Sequence, residues 1–153
     1  MLATLLLLGC ATQGERLARR EATAAKVRQA IADRHLTVSI HSMQTQRYGS
    51  HSVTSDFYLA LQGDTLRSYL PFVGRAYAVS PMSPSQGLNF TAPVQQLAEL
   101  PLKHGGTRLE MVVQSSEDSY VYRVDVYPNG QAYIYVRGQE RDAMSYDGEL
   151  QLE

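Results

Sequence analysis

From Leu36 onward, apolar and polar residues alternate with the period of a β-strand. Leu36, Val38 and Ile40 fall on one face, with Thr37, Ser39 and His41 on the other. Residues 54–72 predict a hairpin about Gly63-Asp64, where glycine supplies the positive φ that a two-residue turn needs. In that register Leu61 meets Leu66, Leu59 meets Ser68 and Phe57 meets Leu70, while the other face pairs Tyr58 with Tyr69 and Ala60 with Arg67. A second hairpin is expected at Pro128-Asn129-Gly130. It sets Tyr122, Val124 and Val126 against Ala132, Ile134 and Val136, leaving Arg123, Asp125, Tyr133 and Tyr135 on a solvated face. Leu109, Met111 and Val113 mark an earlier strand, joined by a polar turn over 115–119. Met144, Tyr146, Leu150 and Leu152 mark a last one.

Ahead of the strands the period is helical. Thr12-Gln13-Gly14-Glu15 has capping-box spacing, and the chain to His35 is rich in the helix formers Ala, Arg, Glu and Gln. Leu17, Ala24, Val27 and Ile31 share one stripe that can dock. The fold expected is mainly β: an antiparallel sandwich or open barrel of about seven to eight strands, with one N-terminal α-helix. Its longest irregular stretch is 73–87, which contains Pro81 and Pro84, and loops of that length are often functional.

At 153 residues, 44% hydrophobic and 19% charged, the chain has the composition of one globular domain. Ten Tyr, three Phe and no Trp reinforce the β reading. A net charge of −1 gives no reason to expect a nucleic-acid partner. The charge is uneven, with residues 15–35 carrying +3 and the remainder −4. The basic side of the helix suits anionic lipid headgroups, but a solvated helix face accounts for it equally simply and is preferred.

Cys10 is the single cysteine, so no intramolecular disulfide can form. It follows Leu5 to Leu8 and Gly9, an arrangement that resembles the lipobox ending a lipoprotein signal peptide. The thiol would take a diacylglyceryl group, and the small residue before it would admit the peptidase. The apolar run is too short to span a bilayer alone. The expected organisation is a signal remnant over 1–9, a lipid attachment site and amphipathic helix over 10–35, and a β-rich domain over 36–153. The expected address is the cell envelope, lipid-anchored at the outer membrane and facing the periplasm. The competing reading is a cytoplasmic protein in which Cys10 is a buried thiol.

Ser55-Asp56-Phe57-Tyr58-Leu59, Gln62-Gly63-Asp64 and Tyr69-Leu70-Pro71-Phe72-Val73-Gly74-Arg75-Ala76-Tyr77 resemble a family of small Gram-negative lipoproteins, domain of unknown function 4251. Gly87-Leu88-Asn89-Phe90, Val124-Asp125-Val126-Tyr127 and Ser145-Tyr146-Asp147-Gly148 fit it too. The resemblance implies one β-rich domain behind a lipoprotein signal. It brings no activity and no catalytic residues.

His35, His41, His51 and His104 lie far apart, without metal-ligand spacing, and no nucleophile-elbow or phosphate-loop motif occurs. No cofactor, metal or catalytic residue is therefore expected. The candidate ligand-binding set is Asp56, Tyr58, Tyr69, Arg75 and Tyr77, since an arginine among tyrosines suits an anionic or sugar-like group. Alternatively Arg75 pairs with a carboxylate such as Asp56 and locks the loop, and this plainer role is preferred. The leading function is a non-catalytic binding or accessory module, taking a small molecule in a half-open barrel or an envelope protein at a sheet edge. A hydrolase using His41, His51 or Asp56 is the alternative, and requires two of these groups to converge in a cleft. An assembly lipoprotein is a third.

Overall fold

The computed structural model describes residues 12–46, 48–53, 56–72 and 87–153. Among the described residues a helix, α1 (Gln13–Ala32), precedes nine strands: β1 (His35–Thr45), β2 (Gly49–Ser52), β3 (Tyr58–Gln62), β4 (Thr65–Leu70), β5 (Leu88–Pro101), β6 (Thr107–Gln114), β7 (Ser119–Val126), β8 (Gln131–Gly138) and β9 (Met144–Leu150). All pairings are antiparallel, and β9 returns to pair with β1, closing an eight-stranded barrel with β2 as an extra strand. The sandwich and the open barrel both give way to this closure. Once Val38–Gln44 of β1 takes up β9, neither end of the meander keeps a free long edge.

Two strands bend to make the closure possible. One edge of β1 is shared, with His35–Ser39 on β3 and Ser42–Thr45 on β2. Strand β5 gives Leu88–Pro93 to β4 and Val94–Pro101 to β6, with a bulge between Val94 and Gln96.

Both expected hairpins form, and every expected pair is in register except Phe57 with Leu70, because β3 begins only at Tyr58. Gly63 (φ 62°) and Gly130 (φ 89°) hold their turns in the left-handed region. A third left-handed residue, Arg34 (φ 49°), ends the helix three residues after the last buried isoleucine, Ile31. Its strain, about 1–2 kcal/mol for a residue with a Cβ, is offset by ties to the β3–β4 turn. Gly63 N–H donates to Arg34 O at 2.8 Å, and the Arg34 guanidinium meets Asp64 at 2.8 Å.

An eight-stranded barrel leaves room for its own side chains or for one small ligand. Here side chains fill it: Leu59, Leu61, Leu66, Leu70, Met111, Ile134, Met144 and the three tyrosines Tyr120, Tyr122 and Tyr146 are all buried. Phe90 stacks on Tyr120 at 5.2 Å and meets Tyr122 edge-on at 6.3 Å. The phenols do not go unsatisfied. Tyr122 Oη donates to Ser68 Oγ (3.1 Å), which donates to Leu88 O (2.8 Å), and Tyr146 Oη donates to Pro71 O (2.7 Å). Burial pushes the ionisation of all three tyrosines upward, most strongly for Tyr122 and Tyr146.

The helix closes one end of the barrel with Val27 and Ile31, which join the core. Its stripe docks only in part. Ala24, Val27 and Ile31 are buried, but Leu17 is 62% exposed and every residue from Thr12 to Ala22 faces solvent. Thr12 makes no side-chain cap; its carbonyl accepts the Glu15 N–H instead.

Candidate functional site

The opposite end of the barrel is held by residues that the sequence did not single out. Asp118 is buried and accepts the backbone N–H groups of Ser119, Gln139 and Glu140 at 2.7, 3.2 and 3.0 Å. Gly138 is required beside it, because a Cβ there would strike the Asp118 carboxylate. Arg141, with a side chain only 8% exposed, bonds Glu117 (3.0 Å) and Gly87 O (3.3 Å) and lies 5.2 Å from the Phe72 ring. It thus ties Phe72 to Gly87, the described residues on either side of 73–86. Arg75, Tyr77 and Cys10 lie outside the described residues, as does the stretch 73–86.

On the outer wall the decisive local feature is a bulge in β1. Ile40 pairs with Gly148 and Ser42 with Asp147, so His41 is an extra residue with no partner of its own. Gly148 permits this, since a Cβ there would overlap the Ser39 carbonyl oxygen. The bulge turns His41 and Ser42 outward together. Ser42 Oγ donates to Asp147 (3.2 Å), and His41 Nε2 lies 3.8 Å from Glu149.

His41 forms the ridge between two surface grooves. One, of about 600 Å³, runs over β8 and β9 past Tyr127, Tyr133, Asp147 and Glu149. The other, of about 560 Å³, runs over β1, β3 and β4 past Ser39, Asp56, Tyr58, Gln62 and Arg67. In this second groove the structure brings together two of the five expected binding residues, Asp56 and Tyr58. Tyr69 pairs with Tyr58 across the hairpin (rings 5.8 Å apart), stacks on Phe57 at 5.1 Å and is 39% exposed. The arginine beside them is Arg67. Its place on the Tyr58 face was legible from the hairpin register. Among the described residues neither Arg67 nor Asp56 has an ion pair or side-chain hydrogen bond.

His41 and Asp56 share the groove, but no hydrogen bond joins them, and His51 lies exposed on β2. The convergence that a hydrolase needs is not met by these three residues. Among the described residues no group of three His, Cys, Asp or Glu is placed to hold a metal ion, and no helix is long and apolar enough to cross a membrane. The face expected to be merely solvated, Arg123, Asp125, Tyr133 and Tyr135, is more tightly knit than that. Arg108 grips Asp125 with two bonds of 2.6 and 2.8 Å, and Arg123 pairs with Glu110 (3.2 Å) under Tyr135 (5.9 Å).

The class defined by this architecture is a small closed antiparallel β-barrel capped by an N-terminal helix. The family model for domain of unknown function DUF4251 matches residues 18–150, and the chain belongs to that family. A solved DUF4251 family protein from Bacteroides eggerthii DSM 20697 has the same fold, with a TM-score of 0.65 at 12% identity over 88% of this chain and 91% of that one. No curated protein matches the chain.

Proposed function

We propose that the protein is a lipid-anchored envelope module, non-catalytic, that binds its ligand or partner on the outer wall of the barrel. The observation that carries this reading is the distribution of committed groups: the described lumen is filled and its polar atoms are paired, whereas Arg67 and Asp56 face a groove and have no ion pair or side-chain hydrogen bond among the described residues. A half-open barrel holding a ligand inside would need the volume that Tyr120, Tyr122 and Tyr146 occupy.

The anchor reading rests on the Leu5–Leu8, Gly9, Cys10 pattern and gains support from the helix. Lipid on Cys10 would place Gln13, the first helical residue, close to the headgroups. About 16 Å of helix then separates Gln13 from Ala24, the first docked residue. That stalk carries Arg16, Arg19 and Arg20, all exposed, where an anionic surface would attract them. It holds the barrel at the periplasmic side of the outer membrane with its wall free.

Native mass spectrometry of the Cys10→Ser chain purified from the periplasm tests the binding mode. A bare chain mass is expected. Lipid-sized mass that leaves only on denaturation would contradict binding on the wall. Metabolic labelling with an alkyne palmitate tests the anchor, with label expected on the wild type and absent from Cys10→Ser.

A further inference from the structure

The groove between β1 and β4 has a chemistry that points to one ligand class. Resting on the outer-wall reading above, we propose that Arg67, Asp56 and Tyr58 bind a carbohydrate bearing a carboxylate or similar anionic group.

The backbone beneath the groove is already hydrogen-bonded. Strand β3 is paired on both edges, to β1 and to β4, while Ile40 N–H donates to Phe57 O and Val53 N–H to His41 O. A peptide therefore finds no strand edge to extend there, and recognition falls to side chains. Those side chains are planar and polar. Arg67 offers a guanidinium fork, Asp56 a carboxylate and Gln62 an amide, and each can engage two ligand atoms at once, as vicinal hydroxyls or a carboxylate require. Arg67 supplies a positive charge that no carboxylate among the described residues neutralises, which selects an anionic group over a neutral one.

Tyr58 supplies the remaining component. Its ring is propped by Tyr69, which Phe57 supports in turn, so a flat apolar surface stands beside the polar groups. The C–H face of a sugar ring packs on such a surface while its hydroxyls reach the planar groups. The floor is pre-set, because Gln151 Nε2 donates to Ser39 Oγ at 2.6 Å. At about 560 Å³ the groove falls within the range of small-ligand sites.

The test is a chemical-shift titration of the ¹⁵N-labelled Cys10→Ser chain with trigalacturonate, maltotriose and triglutamate, each to about 10 mM, where sites of millimolar affinity fill. Trigalacturonate is expected to shift the amides around Asp56, Tyr58 and Arg67. Arg67→Gln should weaken it at least about tenfold, and Arg67→Lys less, because charge survives without the fork. Equal shifts with maltotriose overturn the role of Arg67. Equal shifts with triglutamate make the site one for acidic peptides and overturn the carbohydrate assignment. Silence from all three probes also overturns it. The outer-wall reading falls separately, on mass retained inside the barrel.

Discussion

Two walls of the same barrel treat their charges differently. On β6, β7 and β8, Arg108 is bound to Asp125 and Arg123 to Glu110 across strands, with Arg123 also over the Tyr135 ring. On β1, β3 and β4, Arg67 and Asp56 face a groove and bind nothing among the described residues. The strands themselves are equally well paired in both places. What differs is whether charge is used to fasten neighbouring strands or is left available. The closed barrel is fastened without the second wall's charges, and the proposed binding site draws on that difference.

The largest effect is expected beneath the open wall, in its backbone. Gly148→Ala forces a Cβ onto the Ser39 carbonyl and should flatten or expel the His41 bulge, at a cost of about 3 kcal/mol by urea denaturation. An unchanged midpoint would show that the bulge is not held by this contact. On the committed wall, Arg108→Gln leaves the Asp125 carboxylate, 11% exposed, without its bidentate partner, and about 2 kcal/mol should be lost.

The core makes a prediction of its own. Because folding raises the ionisation of Tyr120, Tyr122 and Tyr146, their contribution to stability is complete below the ordinary tyrosine pKa, near 10. It declines as the pH rises above that value, since the unfolded chain then loses protons that the folded chain retains. Absorbance at 295 nm should show these phenols ionising together with the loss of β circular dichroism. Ionisation in a fully folded barrel would mean that the lumen admits water.

Much of the barrel was legible because inward residues alternate over β4, β6, β8 and β9, and because glycine marks two of the turns. Strand β5 was not. Its bulge after Val94 breaks the alternation, Pro93 and Pro101 resemble strand breakers, and most of its residues are exposed. Closure was illegible for a related reason, since the β1–β9 pairing depends on a bulge at His41 that no local pattern signals. Of the candidate site, Asp56 and Tyr58 were found through their hairpin register. Arg67 lies in the same register, opposite Ala60, whereas Arg75 lies outside the described residues. Arg141 bonds the Gly87 carbonyl from 54 residues away, beyond the reach of any spacing rule. Leu17 was misplaced because helical period shows which face is apolar and not how far along the helix its partner extends.

The smallest expected effect is the most informative. Arg67→Gln should shift stability by no more than about 0.5 kcal/mol, the range of surface positions that hold nothing together. Measured beside Arg108→Gln under the same urea denaturation, the account predicts a clear gap between the two arginines. Equal losses would contradict it, because Arg67 would then be fastening the wall it is said to leave open.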